Sequence, residues 1–262
     1  MTETAVHPEA RAALAKRLRR LRRALVPHRP KAFRDSLNRW LLMGTVIGIV
    51  SGIGAIIFFF CLETGTHYLL ETLGGYTPPG TLGEGDGNPG TCLTRPWAIP
   101  LVVTGGALVS SILVYFVAPT AKGHGTDNAI HAVHHDPTAL RGKVAVIKII
   151  ASSLMIGSGG SGGREGPTAQ ISATVISSLC KKLKIATPDA RIAVSAATAS
   201  GIGAIFRAPL GGALLGAELL YRDDMESDAI MPSLVSSIVA FVVFGSVYGF
   251  EPIFGSLSGV QF

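Results

Sequence analysis

The chain has 262 residues, of which 15% are charged and 48% hydrophobic, with 32 glycines and a mean hydropathy of +0.43. Ordinary soluble proteins carry about 25% charge, so this composition excludes a disordered chain, and three scattered cysteines (Cys61, Cys92, Cys180) exclude a disulfide scaffold. The net charge of +6 is uneven: residues 1–39 hold eleven Lys or Arg against three acids, directly before an apolar run, where the positive-inside rule explains them better than nucleic-acid binding does.

In chain order, no apolar segment precedes the basic cluster, so no secretory signal is expected at the start of this sequence. Residues 10–26 form a candidate basic helix, with Leu14, Leu18, Leu21 and Leu25 at three- and four-residue spacing between arginines. It either lies on an anionic inner leaflet or is a solvated cytoplasmic extension, and Pro27 and Pro30 end it. Residues 1–39 are thus expected as a cytoplasmic N-terminal segment and residues 40–262 as a transmembrane domain. Residues 40–62 contain no charge and, as a helix, extend about 34 Å, enough to cross a hydrocarbon core of about 30 Å. Residues 96–121 and 229–250 are similarly long and uncharged. Between the first two spans, residues 72–95 form a Gly/Pro-rich loop, expected outside the cell if the N-terminus is inside.

The middle of the chain is less regular. Residues 149–163, 166–180 and 192–206 are uncharged runs of fifteen, about 22 Å each if helical, and residues 208–217 are shorter still. Short, interrupted apolar segments flanked by full spans predict broken helices with ends at membrane depth. The expected fold is therefore all-α, a polytopic membrane protein with broken and tilted helices. The stripes Gly44/Gly48/Gly52 and Gly212/Gly216 are expected to serve close helix packing.

The most informative stretch is residues 157–167, GSGGSGGREGP. It contains G-x-G-x-x-G, but after a helical run and not after a strand, and no Gly-Lys-Ser/Thr follows, so neither a dinucleotide fold nor a P-loop is indicated. Pro167 suits the first turn of a helix beginning near Glu165, and the glycines leave backbone amides uncovered. A helix N-terminus carries about half a positive charge and holds an anion without trapping it. Glu165 is then a carboxylate at membrane depth, where an acid lines a pathway; its carboxylate can take the anion's place and be discharged by a proton. The competing reading, a structural ion pair with Arg164, is disfavoured because adjacent helical residues point in different directions.

These residues carry a resemblance. Gly163-Arg164-Glu165-Gly166-Pro167 followed by Thr168-Ala169-Gln170 closely resembles the GREGPxxQ motif of the CLC family of chloride channels and chloride/proton antiporters. The segment from Ser195 through Gly201 and Ala208-Pro209-Leu210 to Gly212 is similar to that family's GAAAGxxAAFxAPLxG, and Gly123-His124-Gly125-Thr126-Asp127 stands in the place of its GSGIP loop. Together they cover most of residues 40–250. The resemblance implies one half of an inverted-repeat fold, with Glu165 as the gating glutamate. It implies anion binding at Gly123, His124 and Gly125 and at Gly163, Arg164, Gly166 and Pro167. It also implies chloride as the transported ion with no cofactor and no enzymatic activity, and a multi-pass protein of the cell membrane with its N-terminus in the cytoplasm. A homodimer and a complementary C-terminal half complete the implication, because nothing here resembles the second half's GxFxP loop or its pore tyrosine. The chain is read as truncated or as one product of a divided gene.

Two departures qualify the match. His124 replaces the serine of many chloride-selective members, leaving anion selectivity open. Glu218 aligns with the first of two glutamates frequent in antiporters and is a proton-pathway candidate with Glu165, whereas Leu219 occupies the place of the inner proton acceptor. Leucine carries no proton, so passive conduction is favoured over coupled antiport. An alternative reading uses His124, His131 and His135, helped by the i,i+4 pairs Asp127/His131 and His131/His135, as a membrane metal site; a non-conducting assembly fragment is a third. His134 belongs to the same histidine-rich stretch. Asp223, Asp224, Glu226 and Asp228 are expected in a solvated loop.

Overall fold

The computed structural model describes residues 30–79, 90, 94–218 and 227–251. The candidate helix at residues 10–26, Pro27, Cys92, Leu219, Asp223, Asp224 and Glu226 lie outside the described residues. Two units are distinguished, residues 1–40 and 41–262; the first contributes only the beginning of helix α1 to the described residues, and the second holds the remaining elements. Every described element is helical: α1 Pro30–Thr66, a π-helical extension His67–Leu73, α2 Ala98–Val117, a 3-10 turn Pro119–Ala121, α3 Thr126–His134, α4 Gly142–Gly157, α5 Glu165–Lys182, α6 Thr187–Ile205, α7 Pro209–Glu218 and α8 Ser227–Tyr248.

Among the described residues three helical stretches are long and apolar enough to cross a membrane, Asn38–Leu73, Ala98–Val117 and Asp228–Tyr248, with mean hydropathies of 2.5, 2.0 and 2.1. They correspond to the three uncharged runs, with one difference. The second uncharged run reaches residue 121, but α2 stops at Val117 and Ala118 takes φ −147°, ψ 77°. Pro119 drives that break: its ring excludes helical geometry from the residue before it.

The shorter helices also outrun the uncharged segments that suggested them. Helix α4 includes Lys143 and Lys148, α5 ends with Lys181 and Lys182, and α6 opens with Asp189 and Arg191 in its first turns. A charge does not end a helix; missing amides, glycine and proline do.

Small residues set the packing. Helix α6 is buried from Ile192 to Ile205 and lies against α5, α7 and α8. On α1, a Cβ at Gly48 would stand 2.6 Å from the Ser236 carbonyl oxygen and 2.7 Å from the Val239 Cβ, while Gly44 and Gly52 meet Val235 and Val243 of α8. A four-residue glycine ladder thus interleaves with a four-residue valine ladder, the close approach that helices in lipid need because dispersion contacts must replace the hydrophobic effect. Hydroxyls tie neighbouring backbones: Ser110 Oγ donates to the Ala151 carbonyl at 2.8 Å, joining α2 to α4, and Ser236 Oγ donates to the Ala196 carbonyl at 2.9 Å, joining α8 to α6.

Helices α5 and α6 end in the same way. The Ile185 amide donates to the Cys180 carbonyl at 3.0 Å and the Ala208 amide to the Gly203 carbonyl at 3.0 Å, with Lys184 and Arg207 both at φ +52°. That left-handed position normally belongs to glycine. Arg207 uses it to donate to the Tyr248 and Glu251 carbonyls at the end of α8, at 2.9 and 2.6 Å. Lys184 is exposed. Lys184→Gly is therefore expected to stabilise the protein by about 1 kcal/mol, seen as a higher thermal unfolding midpoint in detergent; an unchanged or lower midpoint would contradict the strain argument.

Candidate functional site

Two helix heads make the site, and glycine builds both. After the break at Ala118, a 3-10 turn leads to Gly123 at φ +79° and Gly125 at φ +108°. Gly125 is the N-cap of α3 and supplies no side-chain cap, so the leading amides of α3 keep no intrahelical partner. Among the described residues the amides of Gly123, His124 and Gly125 also find no carbonyl.

The second head follows the glycine run. Helix α5 begins at Glu165, and its N-cap, Arg164, makes no side-chain cap bond. The Arg164 carbonyl instead accepts from the Thr168 amide at 3.2 Å and from Thr168 Oγ1 at 2.6 Å, which secures the first turn. Pro167 has no amide to leave unpaired.

The heads touch. A Cβ at Gly166 would overlap the His124 carbonyl oxygen and stand 2.8 Å from His124 Cδ2; a Cβ at Gly125 would stand 2.9 Å from the Gly166 carbonyl oxygen. Beside this contact opens a cavity of about 830 Å³. Its wall includes Gly123, His124, Gly163 and Pro167, all expected from the sequence, and Tyr115 and Phe116 of α2 with Met155 of α4 supply apolar surface. Gly125 and Gly166 lie behind that wall as the close-packing pair.

Glu165 is half-buried and is not among the residues lining the cavity. Its carboxylate folds back over Gly163, which does line it: a Cβ at Gly163 would overlap Glu165 Oε2. The acid stands at the cavity's margin, one residue of backbone away. The neighbouring Arg164 guanidinium lies over the Phe59 ring, 5.6 Å from its centroid, a cation–π contact on the side where Phe59 also meets Tyr248 and Phe244 at 4.5 and 5.7 Å. Glu218, the last residue of α7, is exposed and does not line the cavity.

Sequence reasoning missed Lys148. It is only 4% exposed, lines the cavity, and its Nζ donates to the Ala121 carbonyl at 3.0 Å and to the Gly123 carbonyl at 2.7 Å. A lysine in the middle of an apolar stretch of α4 was the available signal, since a charge at membrane depth demands partners. It directly precedes the uncharged run at residues 149–163.

The histidines do not converge. His124 stands at the head of α3, and His131 and His135 at its tail, seven and eleven residues on, with stacked rings 4.2 Å apart on the exposed surface. Seven helical residues span about 10 Å, too far for a common metal. Among the described residues no group of three His, Cys, Asp or Glu side chains is placed to hold one.

Comparison with known proteins agrees with this architecture. Residues 106–261 match the family model described as voltage gated chloride channel. The chain belongs to that family. It is 24% identical over 213 residues to the chloride/fluoride channel protein of Pseudomonas syringae pv. tomato, covering 81% of this chain and 41% of that one. With the H(+)/Cl(-) exchange transporter ClcA of Vibrio campbellii it shares 26% over 217 residues, or 81% and 42% of the two chains. The crystal structure of a slow cyanobacterial Cl-/H+ antiporter superposes with a TM-score of 0.61 at 22% identity, over 82% of this chain and 48% of that one, and shares its fold. The chain spans about half the length of the curated relatives it matches. As a family member it is an all-α membrane protein with the fold of chloride channels and antiporters.

Proposed function

We propose that this chain forms part of a chloride-conducting pathway gated by Glu165. The observation that carries the reading is the contact between two uncapped helix heads beside one cavity, with a carboxylate folded over the glycine that lines it. Each head contributes about half a positive charge. Anions are attracted by backbone dipoles, and an ionised Glu165 competes with them at the same amides. Gly123, His124, Gly125, Gly163, Arg164, Gly166 and Pro167 form the anion-binding region, with backbone at His124 serving in place of a hydroxyl.

In this reading the protein crosses the cell membrane several times with its basic N-terminus in the cytoplasm. It acts as a homodimer, and a complementary half supplies the opposite side of each pathway. The names of its relatives include both channels and proton exchangers, and Leu219, which has no titratable group, favours passive conduction. Glu218 is the remaining candidate for a proton route.

The test is chloride binding and flux. The chain in detergent should show saturable chloride binding by calorimetry. In proteoliposomes completed by its other half, chloride should leave without stoichiometric proton uptake. Absence of saturable chloride binding, with fluoride also failing to bind, would overturn the site. Proton uptake in fixed ratio to chloride would overturn passive conduction alone.

A further inference from the structure

A turn that attracts anions through its amides has an opposing problem, because its carbonyl oxygens carry negative partial charge and repel the same ion. Donors engage five of the six carbonyls in the 118–123 turn, those of Ala118, Pro119, Thr120, Ala121 and Gly123. The Ala118 and Pro119 carbonyls accept from the Ala121 and Lys122 amides at 2.8 and 3.2 Å, closing the 3-10 turn. The Ala121 and Gly123 carbonyls accept from Lys148 Nζ. The Thr120 carbonyl is held by two neutral amides: Asn128 Nδ2 at 2.9 Å and Gln170 Nε2 at 3.1 Å, fifty residues along the chain.

Gln170 is fully buried, and its Oε1 has no hydrogen-bond partner among the described residues. A buried amide is expected to satisfy both ends. Rotating the amide would bring its oxygen against the Thr120 carbonyl, acceptor against acceptor. Gln170 therefore gives up its own acceptor to keep a donor on Thr120, and the freed oxygen packs against Gly125, where a Cβ would stand 2.7 Å away. Thr120 does not line the cavity, although Pro119, Ala121, Lys122 and Gly123 all do.

We infer that Gln170 and Asn128 are positioning residues for the anion site: they hold the Thr120 carbonyl turned away from the cavity, so the turn between α2 and α3 offers the ion amides and withholds an oxygen. The inference rests on the chloride reading above and assigns the work to side chains that do not touch the ion.

The experiment measures chloride affinity by calorimetry, and the thermal midpoint with and without chloride, for the wild-type chain in detergent and for Gln170→Met, Asn128→Ala and the double variant. Methionine keeps the shape of Gln170 and removes its donor. Each single variant is expected to bind chloride about fivefold more weakly, the worth of one neutral hydrogen bond. The double variant should lose at least the product, because the Thr120 carbonyl then keeps neither donor. The rise in midpoint on adding chloride should shrink in parallel, whatever happens to the chloride-free midpoint, which separates positioning from general destabilisation. If Gln170→Met does not fold, the partly exposed Asn128 decides the matter alone. Wild-type affinity in the folded variants overturns this inference and leaves the site standing. A wild-type chain without saturable chloride binding overturns the site reading and this inference with it.

Discussion

Glu165→Gln is expected to raise chloride flux about tenfold at neutral pH and to remove its activation by acid. Glutamine has the size of the glutamic acid side chain and no charge, so it imitates the protonated form of the proposed gate. The carboxylate folds over Gly163 beside the uncapped head of α5, and an anion at a helix head in a partly buried setting is held by up to about 2 kcal/mol. Removing that competitor frees the amides for chloride, and a difference of about 1.4 kcal/mol is tenfold in occupancy. Wild-type flux should climb as the solution is acidified, while the variant's stays flat and high. Flux measured across pH in proteoliposomes containing the complete pathway decides it: a variant that keeps the wild-type pH profile removes Glu165 from the gate.

Gly212→Ala and Gly216→Ala are expected to be strongly destabilising single-methyl additions. A Cβ at Gly212 would overlap Gly203 Cα and stand 2.5 Å from its amide nitrogen and 2.8 Å from the Ala199 carbonyl oxygen; one at Gly216 would overlap the Ala199 Cβ and stand 2.6 Å from its Cα. Most of these obstacles are backbone, so no rotamer change relieves them. Overpacking a well-filled contact costs about 1–3 kcal/mol, and here α6 and α7 must separate along their length. The larger Gly212→Leu should cost more than about 4 kcal/mol and prevent assembly. Gly105→Ala on α2 is the control: nothing stands within 4 Å of its Cβ position, and alanine in a helix gains about 0.5–1 kcal/mol over glycine. Thermal unfolding in detergent should therefore place Gly105→Ala at or above wild type and Gly212→Ala well below it. Equal midpoints for the two would refute the packing account.

Much of the fold is written locally. The three spans follow from the lengths of uncharged runs, and the start of α5 follows from the glycine run and Pro167, because the signals that begin or extend a helix act within about one turn. The lengths of the uncharged runs do not fix the helix ends: α2 stops at Val117, ahead of Pro119, although the run continues to residue 121. Charge-free runs also pass over Lys148, which precedes the run at residues 149–163 and is the buried partner of two carbonyls. A charge inside an apolar helix is ambiguous until its partners are known, and these lie 25 and 27 residues away.

What the linear chain settled by itself was composition, the length of three apolar spans and a glycine-rich helix start near Glu165. Its motifs also pointed to the family. Which residues of the two helix starts meet was decided only in three dimensions. Gly166 against His124, Gln170 on Thr120 and Lys148 on Gly123 depend on how α3, α4 and α5 pack, and the packing depends on small-residue contacts such as Gly212 on Gly203. Short-range preferences determine where a helix begins. Only close contact between helices determines where its amides point.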